Sequence, residues 1–195
     1  LMGISLFLGT YLQQAALQYT NIANAAFFTV FYVPLVPILL FFIYSIKVHW
    51  SLWPSIGLCI IGVYLLSDFS NSEIMIGDAL VILCSLFWAL HIIFAGKFME
   101  KFNIPIFYAA LQAALVFTLS IIFAFILEEV VITKILTEYS SILYAGVLSG
   151  GIAFTLQMFA QKNIEEAPAA IIYSLEGVFA TIAGWIILSQ VLIRT

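Results

Sequence analysis

Charged side chains are scarce in this chain of 195 residues, since six Lys and Arg and ten Asp and Glu together make up only 8% of it. A soluble domain carries about 25% charged residues, so a soluble globular protein is excluded. The net charge of -4 and the lack of a basic stripe argue against a nucleic-acid partner. The two cysteines, Cys59 and Cys84, each lie within an apolar run, and neither a disulfide nor a metal site is predicted.

Apolar residues make up 65% of the chain and are grouped into runs long enough to cross a bilayer. These runs are continuously apolar rather than alternating, which indicates helices rather than the strands of a membrane barrel. The sequence therefore predicts an all-α, polytopic membrane helical bundle. Its seven transmembrane helices are expected at 1–19, 23–46, 52–69, 77–97, 104–127, 138–161 and 168–190.

Prolines mark the starts of three predicted helices and an irregular point within a fourth. Pro54, Pro105 and Pro168 each fall in the first turn of a predicted helix, where a missing backbone N–H costs nothing. Pro34 and Pro37 lie inside the second predicted helix and remove backbone donors there. They predict a kink or a gate, with simple tolerated bending as the alternative.

The basic residues predict the orientation of the bundle. Connections on one side carry Lys47, Lys97, Lys101 and Lys162, and the other side carries Lys134 and Arg194. Because cytoplasmic connections carry an excess of Lys and Arg, the side with four basic residues is predicted to be cytoplasmic. The opposite connections are acidic, which suits an outer face.

The first two predicted helices repeat as the last two. A shift of 144 positions places Gln13 on Gln157 and Ala25 on Ala169, whereas a shift of 143 pairs Gln14 with Gln157 instead. Copies that lie five helices apart must cross the membrane in opposite directions. Such inverted repeats are typical of secondary transporters. Because the chain begins and ends against apolar sequence, we expect a piece of a longer protein, with two helices before it and one after it.

Three motifs lie in order along the chain: QYTNIANAAFFT at 18–29, a run from Gly77-Asp78 to FWALH at 87–91, and a run from Ala169 to SLEGVF at 174–179. In this order and spacing they resemble the EamA-type transporters of the drug/metabolite transporter superfamily. One departure is a glycine at position 177, where the family usually has proline, so a kink expected there stays open.

That resemblance implies ten helices in two inverted halves of five around a central cavity. This chain then corresponds to helices three to nine. Residues 1–69 would be the end of the first EamA-type repeat, with three helices, and residues 70–195 most of the second repeat, with four.

Glu176 is the one acid in the interior of a predicted helix, whereas the other nine acids lie at or near helix ends. An ionisable side chain within the membrane marks a substrate or proton site by default, although a protonated acid that fixes helix packing is an equal alternative. Tyr173 lies three residues earlier on the same face. Tyr32 takes the position equivalent to Glu176 in the other copy of the repeat, so all three are candidate substrate-binding residues.

Trp88 and His91 form a second candidate pair, three residues apart on one helix. An indole offers a π face to a cation or an aromatic group, and imidazole titrates near neutral pH. A lone histidine among apolar residues is more often a packing residue, and that interpretation stays open for His91. The family resemblance places Trp88 near the cavity.

Two glutamines, Gln14 and Gln157, lie within predicted helices and complete the candidate substrate-binding set. An amide in lipid must find a hydrogen-bond partner, so both side chains are expected to point into the bundle. Lining of a substrate path and simple helix packing are equal alternatives for both. Gln161, nearer a helix end, is expected to be solvated or to cap its helix.

The predicted function is secondary transport of small metabolites such as amino acids, in the outward direction, by alternating access of two halves. The alternatives are a non-transporting membrane scaffold and an intramembrane enzyme, which would need a nucleophile and base or metal ligands that the chain lacks. No catalytic residue, metal or cofactor is expected. The expected partners are a small-molecule substrate and the lipid bilayer, in a plasma membrane such as a bacterial inner membrane. The oligomeric state stays open.

Overall fold

The structure is a computed structural model that describes residues 1–20, 22–66, 76–176, 178–179 and 182. All regular secondary structure within these ranges is helical. The α-helices are α1 (Met2–Ala16), α2 (Ile22–Thr29), α3 (Tyr32–Tyr44), α4 (Leu52–Leu66), α5 (Ile76–Phe102), α6 (Pro105–Leu127), α7 (Ile132–Thr137), α8 (Tyr139–Leu143), α9 (Phe154–Gln161) and α10 (Glu166–Tyr173), with a π-helical segment at Tyr144–Ala153 between α8 and α9.

Within the described residues, four helical stretches are long and apolar enough to cross a membrane: Asn24–Tyr44 (α2 with α3), Ile76–Phe102 (α5), Pro105–Leu127 (α6) and Tyr139–Gln161 (α8 to α9). Each coincides with a predicted span, which confirms a multi-pass helical membrane bundle. The shorter α1, α4 and α10 lie at the positions of the other three predicted helices. The last predicted helix is described up to residue 176, and most of its residues beyond that position lie outside the described ranges.

Prolines act locally as the sequence predicts. Pro54, Pro105 and Pro168 lie in the first turns of α4, α6 and α10. Pro34 has no N–H to donate to the carbonyl of Val30, and the helix breaks there into α2 and α3. The turn between them is closed by tighter bonds, such as Val30 N–H to the Phe27 carbonyl at 3.2 Å.

One predicted helix is longer than its apolar run. The prediction ended at residue 97, but α5 continues to Phe102. Its last turns carry Lys97, Glu100 and Lys101 among apolar residues, and the ion pair of Lys97 with Glu100, one turn later, supports the helix there. Asn103, at φ 52°, ends the helix in the left-handed conformation, which asparagine tolerates. Hydropathy therefore predicted the end of the apolar run rather than the end of the helix.

Helix α5 is the centre of the fold, because it packs against α1, α2, α3, α9 and α10. The main core forms where its residues Ala89, Ile92 and Ile93 meet Val33 and Val36 of α3. Helix α10 closes this core with Ala167 and Ala170, whose small side chains allow close approach.

Gly77 and Asp78 fix the α1–α2 connection to the start of α5. The Gly77 N–H donates to the Tyr19 carbonyl at 3.2 Å, and a Cβ on Gly77 would lie 2.6 Å from the Tyr19 carbonyl carbon. The Asp78 carboxylate is 2% exposed and accepts hydrogen bonds from the Thr20 hydroxyl and, at 3.0 Å, from Asn24 Nδ2. These bonds satisfy a buried carboxylate, so this part of the motif is structural.

The helices at one side of the bundle carry apolar side chains on their outer faces. Helix α6 contacts α1 and α9, yet only 6% of its apolar stretch is buried in the bundle. The buried share of Tyr139–Gln161 is also 6%. Such faces suit contact with lipid or with further helices.

Candidate functional site

Three of the predicted site residues, Tyr32, Tyr173 and Glu176, lie in one region of the structure. The Tyr32 hydroxyl is within electrostatic range of both the Glu176 carboxylate and Tyr173. Tyr32 is 8% exposed in the main core, and Tyr173 packs against that core. The Tyr173 hydroxyl is buried and has no hydrogen-bond partner among the described residues. Glu176 itself is exposed.

This carboxylate cluster, defined as Tyr32, Tyr173 and Glu176, joins α3 to the end of α10. Two phenol hydroxyls and one carboxylate offer both donors and acceptors at the edge of the main core. The cluster can therefore hold a polar group, a cation or a proton between the two helices. An ionised carboxylate in such surroundings is costly unless it finds a partner.

Two further polar residues adjoin the cluster and were missed by the sequence analysis. The Cys59 thiol on α4 donates to the Ser174 hydroxyl at 2.8 Å, and Ser174 in turn donates to the Ile171 carbonyl at 2.6 Å. Cys59 was interpreted only as a small hydrophobic residue. Ser174 lies within the SLEGVF motif, which could have signalled it. Together they fasten α4 to the turn between Tyr173 and Glu176.

The backbone tightens just before Glu176. The Ser174 N–H donates to the Ala170 carbonyl at 3.2 Å, four residues back, whereas the Leu175 N–H donates to the Ile172 carbonyl at 3.1 Å, three residues back. This local 3₁₀ geometry separates Glu176 from the regular part of α10. The glycine at position 177, where the kink stayed open, lies outside the described residues.

Trp88 lies in a second cluster on α5. Its indole Nε1 donates to Gln13 Oε1 of α1 at 3.3 Å. The indole lies parallel to the Phe154 ring of α9, at an interplanar angle of 3° and a centroid distance of 6.2 Å. Trp88 packs against the same core as Tyr32 and Tyr173. The structure thus brings the indole and the two phenols of the predicted site into one region.

His91 is fully buried and links α5 to α6. Its Nε2 lies 3.0 Å from Gln112 Oε1, and its ring contacts Phe154 edge-on at 5.9 Å. His91 Nδ1 and Gln112 Nε2 have no hydrogen-bond partner within the described ranges. This burial favours the packing interpretation of His91, and its contact with substrate stays a prediction.

The predicted glutamines differ in their surroundings. Gln14 is exposed, and the neighbouring Gln13 makes the contact with α5 instead. Gln157 is half-buried, with its Nε2 at 3.4 Å from Gln161 Oε1. The half-buried pair Gln13 and Gln157 matches the 144-residue shift rather than the 143-residue one.

Gln161 corrects an expectation. It was expected to be solvated or to cap a helix end, yet it is 3% exposed and its Nε2 donates to the Ile92 carbonyl at 2.9 Å. The reason is tertiary, because the end of α9 is covered by α5 rather than by water. Its role is to join these two helices.

A charged junction lies at the predicted cytoplasmic end. The Lys97 ammonium of α5 lies 3.0 Å from Glu100 Oε2 and 3.4 Å from Glu166 Oε1 of α10, and 5.8 Å from the centre of the Tyr44 ring at the end of α3. Gly96 permits this approach, because a Cβ there would lie 2.6 Å from Glu166 Cγ. Lys97 of α5 therefore contacts a side chain of α10 and a side chain of α3.

This junction forms one wall of a cleft of about 450 Å³. Lys47 and Lys162 line the same cleft as Lys97. Three of the four lysines used to predict the cytoplasmic side therefore lie at the same end of the bundle. The size falls in the range of small-molecule pockets, which is roughly 300–1,000 Å³.

Comparisons with known proteins give a family match, a relative in sequence and a similar solved structure. Residues 75–194 match the EamA-like transporter family. Over 194 residues the chain is 32% identical to an uncharacterized transporter from Archaeoglobus fulgidus, a match that covers 98% of this chain but only 61% of the relative's length. A protein of known crystal structure, 15% identical, superimposes with a TM-score of 0.81 over 99% of this chain and 70% of its own. At that identity the likeness concerns the fold alone.

Proposed function

The chain belongs to the EamA-like transporter family, and on that premise we propose that it forms part of a secondary carrier that moves small metabolites, such as amino acids, out of the cell by alternating access. Membership of a transporter family sets it apart from enzymes. We assign residues 1–69 to the first repeat and 70–195 to the second, and place the carrier in the plasma membrane. The boundary between the two repeats, at residues 69 and 70, falls outside the described ranges.

The observation that carries this proposal is that Tyr32 and Tyr173 pack in one core, with Glu176 three residues after Tyr173 and within electrostatic range of Tyr32. Tyr32 belongs to the proposed first repeat and Glu176 to the second, so the pair lies where the two halves meet. Carriers with inverted repeats bind substrate at such an interface. A charged side chain within a membrane helix costs roughly 2.5–3.5 kcal/mol on insertion scales, and function is the usual reason for keeping it.

In the proposed site, Glu176 accepts a substrate ammonium group or a coupling proton. Tyr32 and Tyr173 supply hydroxyl groups on either side of a bound polar group, and the Tyr173 hydroxyl is unpartnered among the described residues. Trp88 forms an aromatic wall of the site. The His91 ring packs edge-on against the indole, with 6.1 Å between the ring centroids. Gln14 and Gln157 remain candidates for lining the path.

The charged junction of Lys97, Glu166 and Tyr44 would act as the cytoplasmic closure. Tyr44 ends α3 of the proposed first repeat, and Glu166 begins α10 of the second. In alternating access one side must separate while the other closes. Opening toward the cytoplasm would pull Lys97 away from at least one of these partners.

The test is flux through the complete protein, purified and reconstituted into liposomes. Radiolabelled alanine, leucine, phenylalanine, lysine and glutamate would be offered separately, with empty liposomes as the control. The proposal predicts saturable uptake of at least one label. Linear, protein-independent uptake of all five would contradict carriage of amino acids.

A further inference from the structure

Gln13 joins three helices through one side-chain amide. Its Oε1 accepts the Trp88 Nε1–H of α5 at 3.3 Å, and its Nε2 donates to Thr29 Oγ1 of α2 at 3.3 Å. Thr29 in turn donates to the Ala25 carbonyl at 2.7 Å. Gln13 is half-buried in α1.

The chemistry of these partners fixes the direction of every bond. The single hydroxyl proton of Thr29 is committed to the Ala25 carbonyl, so towards Gln13 its oxygen can only accept. An indole N–H can only donate. The Gln13 nitrogen must therefore face Thr29, and its oxygen must face Trp88. Rotation of the amide by 180° would break both bonds.

The same contacts restrict the Trp88 indole. Its N–H is occupied by Gln13, and its ring lies close to Gly9 of α1, where a Cβ would be 3.5 Å from the ring atoms. The parallel Phe154 ring lies beside it. With its N–H engaged by Gln13, the indole has no polar donor left to offer a bound molecule.

We propose that Gln13 is a positioning residue for substrate recognition, which sets the angle of the Trp88 indole without touching substrate. This inference rests on the proposed function, in which Trp88 lines the substrate path. Gln13 and Thr29 lie in the proposed first repeat and Trp88 in the second, so the amide also connects the two halves at the site.

A residue that only held the helices together would affect folding and leave the preference among substrates unchanged. A positioning residue changes that preference and does so only while Trp88 is present. The comparison of Q13L with W88F and with the double variant distinguishes the two cases, because residues that act through one another have non-additive effects. Q18L, a change at an exposed glutamine just after α1 that belongs to no proposed site, is the matched control.

The experiment measures uptake of radiolabelled leucine, phenylalanine and lysine by the complete protein in liposomes. Q13L is expected to change the ratio of kcat/KM between two of these labels by about threefold to tenfold, the effect of one lost hydrogen bond. In the W88F background the same change should have no further effect. Q13M serves if Q13L does not fold. Q13E should keep the wild-type ratio of kcat/KM, because a protonated glutamic acid has one donor for Thr29 and one acceptor for Trp88.

A second readout needs no substrate. With every tryptophan of the complete protein except Trp88 replaced by phenylalanine, including Trp50, Trp53 and Trp185, ultraviolet resonance Raman reports the hydrogen bond of the Trp88 N–H alone. The band should shift in Q13L and stay in place in Q18L, and no shift in Q13L would overturn the inference. Flux with unchanged ratios in Q13L would also overturn it. Absence of flux in the unaltered protein would overturn the proposed function, and this inference with it.

Discussion

The Lys97 ammonium lies 3.4 Å from the Glu166 carboxylate, and this contact exists because the residue next to Lys97 is a glycine. Gly96 leaves room for the Glu166 side chain directly against the backbone of α5. Glu166 is only 7% exposed, and the Lys97 side chain is one quarter exposed. The pair is therefore shielded from water far more than an ordinary surface ion pair, and it ties the start of α10 to α5.

Gly96→Ala should loosen this junction. The new Cβ would lie 2.6 Å from Glu166 Cγ, so Glu166 must move away from Lys97. We expect a loss of about 1–3 kcal/mol in the free energy of unfolding, as for other overpacked sites. Thermal unfolding of the purified protein in detergent measures it.

Gly57→Ala is the matched control for this change. Gly57 lies in α4, where a Cβ would meet nothing within 4 Å. Alanine should stabilise that helix by about 0.5–1 kcal/mol, because glycine is the poorer helix former. Equal effects of the two substitutions would contradict the packing described at Gly96.

Gly77→Ala should be more damaging than Gly96→Ala. Its Cβ would meet backbone rather than side chain, at 2.6 Å from the Tyr19 carbonyl carbon and 2.7 Å from the Ala16 carbonyl oxygen. Backbone cannot rotate away, so the α1–α2 connection must separate from α5. Unfolding temperatures of the two alanine variants, measured side by side, give the order, and a milder Gly77→Ala would contradict the close approach.

Gln161→Leu should weaken the attachment of α9 to α5. It removes the hydrogen bond to the Ile92 carbonyl, and hydrogen bonds between membrane helices contribute about 0.6 kcal/mol on average and about 1.7 kcal/mol at most. A loss within that range is expected in chemical unfolding. Gln14→Leu, at an exposed position, should change stability little, and equal losses in both variants would rule out this role for Gln161.

The helices were predictable because their signals are local. Apolar runs gave the spans, and Pro34 and Pro105 each act on the backbone bonds of their own turn. The extension of α5 beyond residue 97 was not predictable from hydropathy, since a polar turn can remain helical outside the lipid. It depends on the Lys97–Glu100 pair and on the conformation of Asn103.

The residues of the candidate site could be related across the sequence only through the repeat. The repeat paired Tyr32 with Glu176, and the two lie within electrostatic range. Periodicity could not decide between the adjacent amides Gln13 and Gln14, because either can face the bundle until a partner such as Trp88 is known. Ser174 was missed for the same reason, since its partner Cys59 is distant in sequence.

The role of the carboxylate cluster is tested most directly by the flux of Glu176→Gln in liposomes, with the complete protein and the labels named above. Glutamine keeps the size of the side chain and removes its charge and its proton. We expect uptake to fall about tenfold or more, the effect of losing a hydrogen bond to a charged group. Glu129→Gln, at an exposed connection, should transport normally. Wild-type uptake by Glu176→Gln would contradict the account.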